Sequence, residues 1–166
     1  MSGGSGNDTY VVDSADDRVV EAAGTGTGVD TDRSSVSHAL EDNVERLLLT
    51  GTAAIDGTGN AQDNLIIGNA AANHVDGGNG RDTLTGGGGD DVFVFGADNR
   101  VAGHADRVMD FLSGHDHLEL EHVAFTELGA AGALDPAQFH LGTAAASATD
   151  HLVYDQATGS LYYDAD

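Results

Sequence analysis

The sequence predicts an all-β protein: a parallel, right-handed β-roll of nonapeptide repeats, closed by a carboxy-terminal hairpin cap. Three observations predict it. Glycine recurs every nine residues from position 59, a large apolar residue recurs in the same frame, and 28 carboxylates face only 6 basic residues in a chain of 166. That length allows one ordinary core, and the period decides its architecture.

Laid out in nines, the chain reads GNAQDNLII, GNAAANHVD, GGNGRDTLT and GGGGDDVFV from position 59. The first column holds Gly59, Gly68, Gly77 and Gly86; the sixth holds Asn64, Asn73, Asp82 and Asp91; the eighth holds Ile66, Val75, Leu84 and Phe93. A flexible glycine linker has no reason to place an apolar residue at a fixed period, so these glycines are turns. Roughly six residues make each turn and three make a short strand whose middle side chain points inward. Two such units complete one coil, successive coils pair as parallel strands, and stacked turns gather the sixth-column side chains on an edge.

The frame extends to both sides. At the start, GGSGNDTYV (3–11) and VDSADDRVV (12–20) put Asp8 and Asp17 in the sixth column, Tyr10 and Val19 in the eighth. Next comes a degenerate turn, TGTGVDTDR (25–33), with Asp30 in the sixth column and Asp32 in the apolar one. In SVSHALEDNVERLLLTGTAAIDGTGNA (35–61), Leu40, Val44, Leu47 and Leu48 have helical spacing, whereas Val36, His38 and Leu40 followed by Leu47 and Leu49 have strand spacing. Periodicity alone leaves both open; the flanking glycine turns favour strands. After an insertion at 95–100 that loops out, VAGHADRVM (101–109) and FLSGHDHLE (111–119) place Asp106 and Asp116 in the sixth column, Val108 and Leu118 in the eighth.

The tail has three readable pieces. In DPAQF (135–139), Asp135 caps and Pro136 opens a short helix. HLVYD and SLYYD flank QATG as an antiparallel hairpin, and Leu152, Tyr154, Leu161 and Tyr163 are expected to cover the open end of the roll.

A formal net charge of -22 argues against nucleic acid or anionic membrane as a partner and for a multivalent cation. All six basic residues are arginine, so without counterions the chain repels itself and expands. There is no cysteine, hence no disulfide or thiolate site, and no apolar run long enough for a membrane span. Stacked carboxylates with glycine-rich backbone carbonyls are hard oxygen ligands, which suit calcium better than zinc or copper.

HDHLELEH (115–122) invites a zinc reading, with His117, Glu119 and Glu121 alternating on one strand face; the plainer alternative turns Leu118 and Leu120 inward and the charges outward. No H-E-x-x-H and no G-x-S-x-G is present, so the chain is expected to be non-catalytic.

GGSGNDTYV, GGNGRDTLT and GGGGDDVFV resemble the RTX nonapeptide G-G-x-G-x-D-x-U-x, a calcium-binding repeat in which U is a large apolar residue. HADRVMDFLSGHDHLEL and ATDHLVYDQATGSLYYDAD resemble the closing segments of the carboxy-terminal domain of serralysin-type secreted proteases. The resemblance implies several calcium ions between stacked turns. Their ligands would be Asp8, Asp17, Asp82 and Asp91, the carbonyls of Gly78, Gly80, Gly87 and Gly89, and, in the closing segment, Asp98, Asp106 and Asp116. Asn64 and Asn73 depart from the acid, so sites there are expected to be weak or replaced by asparagine stacking. It also implies a roll over 1–122 (blocks 3–33 and 57–119 with linking coils) and a cap over 123–166 that stops short of the usual final strand, with the export signal beyond it. The implied setting is extracellular: a module that folds on calcium after passage through type I export machinery, attached to the catalytic or effector domain of a parent chain. An adhesive or polysaccharide-binding module is the alternative.

Overall fold

Each nonapeptide folds as its columns dictate: six residues turn and the last three or four extend, so that the eighth side chain is the enclosed apolar one and the sixth is buried at the turn. The computed structural model describes residues 1–21 and 28–165, which divide into two compact units, Met1–Glu119 and Leu120–Asp166. Residues 25–27 of the degenerate turn lie outside the described residues.

The strands of the roll, in chain order, are β1 (Thr9–Val12), β2 (Thr31–Ser34), β3 (His38–Ala39), β4 (Arg46–Leu49), β5 (Gly57–Thr58), β6 (Leu65–Ile67), β7 (His74–Asp76), β8 (Thr83–Thr85), β9 (Val92–Phe95), β10 (Arg107–Val108) and β11 (His117–Leu120). They form two sheets, ordered β1-β2-β4-β6-β8-β10 and β11-β9-β7-β5-β3. From β2 onward the chain alternates between the sheets, one strand to each per coil. The pairings from β1 to β10 in the first sheet and from β3 to β9 in the second are parallel and in register, Leu47 opposite Ile66, Ile66 opposite Leu84, and Val75 opposite Phe93. The fold is therefore a parallel β-roll.

Its core is the eighth column. Ile66, Val75, Leu84 and Phe93 are fully enclosed, joined by Tyr10, Val12, Val19, Leu40, Val44, Leu47, Leu49 and Ile55. Each such side chain contributes about 1.5–3 kcal/mol on burial. The segment 35–61 is extended, not helical. Parallel pairing of β4 with β2 and β6 satisfies its backbone, turning Leu47 and Leu49 inward and leaving Leu48 half-buried.

Two positions depart from the expected columns. Asp32 occupies a core site, between Tyr10 and Leu47 in register, and is fully buried. At the other end Val108 is only half-buried and Leu118, although the His117 N–H to Asp91 O bond keeps it in the column of Phe93, is 40% exposed. The coil that carries them is the last of each sheet's order and has a following neighbour on neither β10 nor β11. The insertion at 95–100 holds a 3-10 turn, Asp98–Arg100.

The second unit contains 3-10 turns at Thr126–Leu128 and Pro136–Gln138, the latter capped by Asp135 Oδ1, which accepts the Ala137 N–H at 3.0 Å. β13 (Leu152–Asp155) and β14 (Ser160–Tyr163) form the antiparallel hairpin, and β12 (Phe139–Leu141) adds to β13 in parallel. Leu152 and Val153, adjacent on the central strand β13, point to opposite faces and both are buried, whereas Leu161 lies on the edge strand and is exposed. Phe125 meets Tyr163 edge to face at 5.0 Å.

Candidate metal centres

The turns stack closely because their glycines permit it. Gly78 and Gly80 have φ of +80° and +112°, and a Cβ on either would stand 2.5 Å and 2.7 Å from the carbonyl oxygens of Asn60 and Gln62 in the turn below. Gly87 and Gly89 meet the turn at Asn69 and Ala71–Ala72 in the same way. Only residues without a side chain fit this approach.

Stacking brings the residue preceding each strand into line along an edge. In the first sheet the line runs Asp8, Asp30, Glu45, Asn64, Asp82, Asp106; in the second, Asn73, Asp91, Asp116 follow one another. Backbone N–H groups knit the line from one coil to the next. Asp8 donates to Asp30 Oδ1 (2.8 Å), Asp30 to Glu45 Oε2 (2.8 Å), Asn64 to Asp82 Oδ1 (2.7 Å) and Asp82 to Asp106 Oδ1 (2.9 Å). On the other edge Asn73 donates to Asp91 Oδ1 (2.9 Å) and Asp91 to Asp116 Oδ1 (3.0 Å).

One carboxylate oxygen is thus engaged by the preceding coil, and the fate of the other separates the sites. Asp82 Oδ2 is buried with no hydrogen-bond partner. Burial, reinforced by the nearby charge of Asp106, pushes the Asp82 carboxyl up to about 7, and burial raises Asp106 as well. Beside them, Asp98 Oδ2 accepts from the Gly80 N–H at 2.8 Å and lies 2.6 Å from His104 Nδ1, contacts that hold its carboxyl below the usual range. Burial also raises Asp91, with the charges of Asp116, Asp110 and Asp90 adding to it. Asp116 uses both oxygens, the second on the Leu112 N–H at 2.7 Å.

Another gathering lies near the amino terminus. Ligand oxygens of Asp8, Glu21 and Asp30 all fall within 4.8 Å of one another. Each residue has one buried oxygen without a partner, and so does the Tyr10 hydroxyl. A Cβ on Gly3 would stand 2.3 Å from both Asp8 Oδ2 and the Tyr10 hydroxyl. Two buried carboxylates and a half-buried one without a facing cation are costly, and an all-oxygen donor set of this kind fits calcium.

Of the expected ligands, Asp82 and Asp106 are brought together, Asp91 and Asp116 likewise, and Asp98 is placed over the turn at Gly80. Asp17 is set apart: its Oδ2 accepts the N–H groups of Asp13 and Ser14, both at 3.1 Å, and closes its own turn. Residues missed by sequence reasoning are Glu21, Asp30 and Asp110, whose two oxygens clamp the N–H groups of Gly86 (2.9 Å) and Gly87 (2.8 Å). Asp30 carried a signal, its sixth column; Glu21 and Asp110 lie outside the frame. In the segment 115–122, Glu119 pairs only loosely with His74, at 3.7 Å on the surface.

The asparagine turns differ. Asn64 Oδ1 accepts the Asn60 N–H at 2.8 Å and Asn73 Oδ1 the Asn69 N–H at 2.9 Å, while their amides donate to Val44 O (3.3 Å) and Ile55 O (2.6 Å). These turns are satisfied from within.

Comparison with known proteins agrees with this geometry. The RTX calcium-binding nonapeptide repeat (4 copies) matches residues 1–19, 58–93 and 67–102. An endo-1,3-1,4-beta-glycanase, ExsH, of Rhizobium meliloti (strain 1021) is 43% identical over 68 residues, which are 41% of this chain and 14% of the glycanase. The match thus spans a small part of that relative. Among the described residues no helix is long and apolar enough to cross a membrane.

Proposed function

We propose, from the premise that these turns are RTX calcium-binding nonapeptide repeats, that the chain is a calcium-dependent folding module of a larger secreted protein. The observation that carries the reading is the set of buried carboxylate oxygens without partners at Asp8, Glu21, Asp30 and Asp82. A divalent ion bound there removes the desolvation cost and the mutual repulsion together, so its binding free energy becomes folding free energy. Asp8, Glu21 and Asp30 would hold one ion, Asp82 with Asp98 and Asp106 a second, and Asp91 with Asp110 and Asp116 a third. Carbonyls of Gly78, Gly80, Gly87 and Gly89 would complete their shells.

Such a module stays open where calcium is scarce, a state suited to passage through a type I export channel, and closes outside the cell. It catalyses nothing itself; activity belongs to a catalytic or effector domain of the parent chain. The likeness to a stretch of a glycanase supports a parent acting on polysaccharide.

Far-UV circular dichroism during a calcium titration after chelation, with magnesium as control, tests the coupling. A cooperative coil-to-β transition with calcium and none with magnesium is the expected result. A spectrum already β-rich in chelator and unmoved by calcium would reduce the module to a static scaffold.

A further inference from the structure

One coil of the roll departs from the apolar rule on both of its inward faces. In the first sheet the enclosed column runs Tyr10, Asp32, Leu47, Ile66; in the second, the residue in register with Gly57, Val75 and Phe93 is His38. Asp32 and His38 therefore face each other from opposite sheets across the interior, where every neighbouring coil places hydrocarbon or glycine. Their side chains are 0% and 9% exposed. Glu41, from the turn after β3, completes the group at 23% exposure.

The three converge on a point. His38 Nε2 lies 2.9 Å from Asp32 Oδ2 and 3.5 Å from Glu41 Oε2, and one ligand atom from each residue falls within 4.8 Å of the others. Glu41 Oε1 is engaged elsewhere, by the Val19 N–H at 3.3 Å and by Arg18 at 3.8 Å, which leaves Oε2 turned toward the histidine. Asp32 Oδ1 is buried with no hydrogen-bond partner, and Glu41 Oε2 accepts no hydrogen bond. A fully enclosed carboxylate with an unmatched oxygen is the arrangement a protein interior avoids unless something else binds there.

We infer that Asp32, His38 and Glu41 form a site for a divalent transition metal of the zinc type, distinct in chemistry from the all-oxygen turn sites. Around a tetrahedral ion with bonds of about 2.0–2.1 Å, ligand atoms stand roughly 3.3–3.4 Å apart, and the separations here bracket that value. An imidazole nitrogen is a poor calcium ligand and a preferred one for zinc, cobalt or nickel. Two carboxylates and a neutral imidazole balance a dication, so the filled site carries no net charge into the interior. Glu41 is the least buried of the three and marks the route of entry; a water completes the coordination. The site neither catalyses nor depends on the calcium reading. It pins β2 to β3 across the core.

Cobalt(II) is the probe, added to the 166-residue chain held in saturating calcium so that oxygen sites are filled. One equivalent per chain is expected, with the intense visible band of four-coordinate cobalt, displaced by zinc. His38→Gln and Asp32→Asn are each expected to weaken binding by at least about a hundredfold, since even outer-shell partners of a metal ligand account for 10–100-fold. His104→Gln and His115→Gln remove other Asp–His pairs and are expected to leave the band intact. Wild-type chain that takes up no cobalt, or six-coordinate cobalt only, would overturn the site whatever the variants do. So would an unchanged band in His38→Gln that circular dichroism shows to be folded.

Discussion

Two turns on the second edge, one above the other, place an asparagine and an aspartate at the same column and have opposite needs; the aspartate's turn alone is left-handed at its second and fourth residues, Gly87 and Gly89. At Asn73 the side-chain amide accepts from its own turn and donates to Ile55 O, so every polar atom is matched by the protein. At Asp91, 18 residues on, the same position holds a buried acid whose pKa is raised by burial and by three nearby carboxylates. Asn64 and Asp82 repeat the contrast on the first edge. The lesson is that stacking alone does not demand an ion; an acid at this column, set over a turn with left-handed glycines, does.

The largest expected effect is on chelation. Amide exchange of Thr83–Thr85 and Val92–Phe95 is expected to speed up by several powers of ten, roughly the span between global and local opening, with Leu65–Ile67 losing less. Equal loss in both halves, followed by hydrogen-exchange mass spectrometry, would break the contrast.

Acidity probes the same difference without metal. The Asp82 carboxyl stands at about 7 in the folded chain against an ordinary 3.8, so between these values the folded state binds the extra proton. Calcium-free stability must then fall as pH rises through that window and level off above it. Asp82→Asn is expected to flatten this slope in urea unfolding and to weaken calcium binding by about tenfold or more, as ligand charge sets affinity.

The reverse exchange, Asn73→Asp, removes the donor to Ile55 O and buries a charge. It is expected to destabilise the calcium-free chain by about 1–3 kcal/mol, a loss that calcium partly restores. A pair within one turn reaches the smallest effect. Gly87→Ala forces a side chain at φ +99° to within 2.1 Å of Asn69 O and is expected to cost about 1–3 kcal/mol, whereas Gly88→Ala, with nothing nearer than 3.6 Å, is expected to stay within about 0.5 kcal/mol. Thermal unfolding of the two variants in calcium measures both.

Much of this was legible because a nine-residue period imposes one environment per column. Ile66, Val75, Leu84 and Phe93 are enclosed, and strands fall at the last positions of each repeat, because stacking leaves each column no other surroundings. What escaped reading lies where the coil length departs from 18. The N–H ladder steps 22 residues from Asp8 to Asp30, 15 from Asp30 to Glu45, and 24 from Asp82 to Asp106. Across such steps Glu45 and Asp110 enter the edge from positions no repeat frame assigns. Asp32 shows the opposite limit, a charged residue in an apolar column that the fold nonetheless encloses. In the second unit the alternation of HLVYD suggested one inward face, yet Leu152 and Val153, on opposite faces of the same strand, are both buried.

Two repeats per coil give the chain a rule of parity. Inserting one nonapeptide would send every later strand to the opposite sheet and every later carboxylate to the opposite edge, so Asp82 would rise above Asn73 and the enclosed columns would exchange partners. Inserting two would leave all of these assignments intact and merely lengthen the stack. Tolerated changes of length in this roll are therefore expected in even numbers of repeats, a grammar that any lineage built by tandem duplication of this unit must obey.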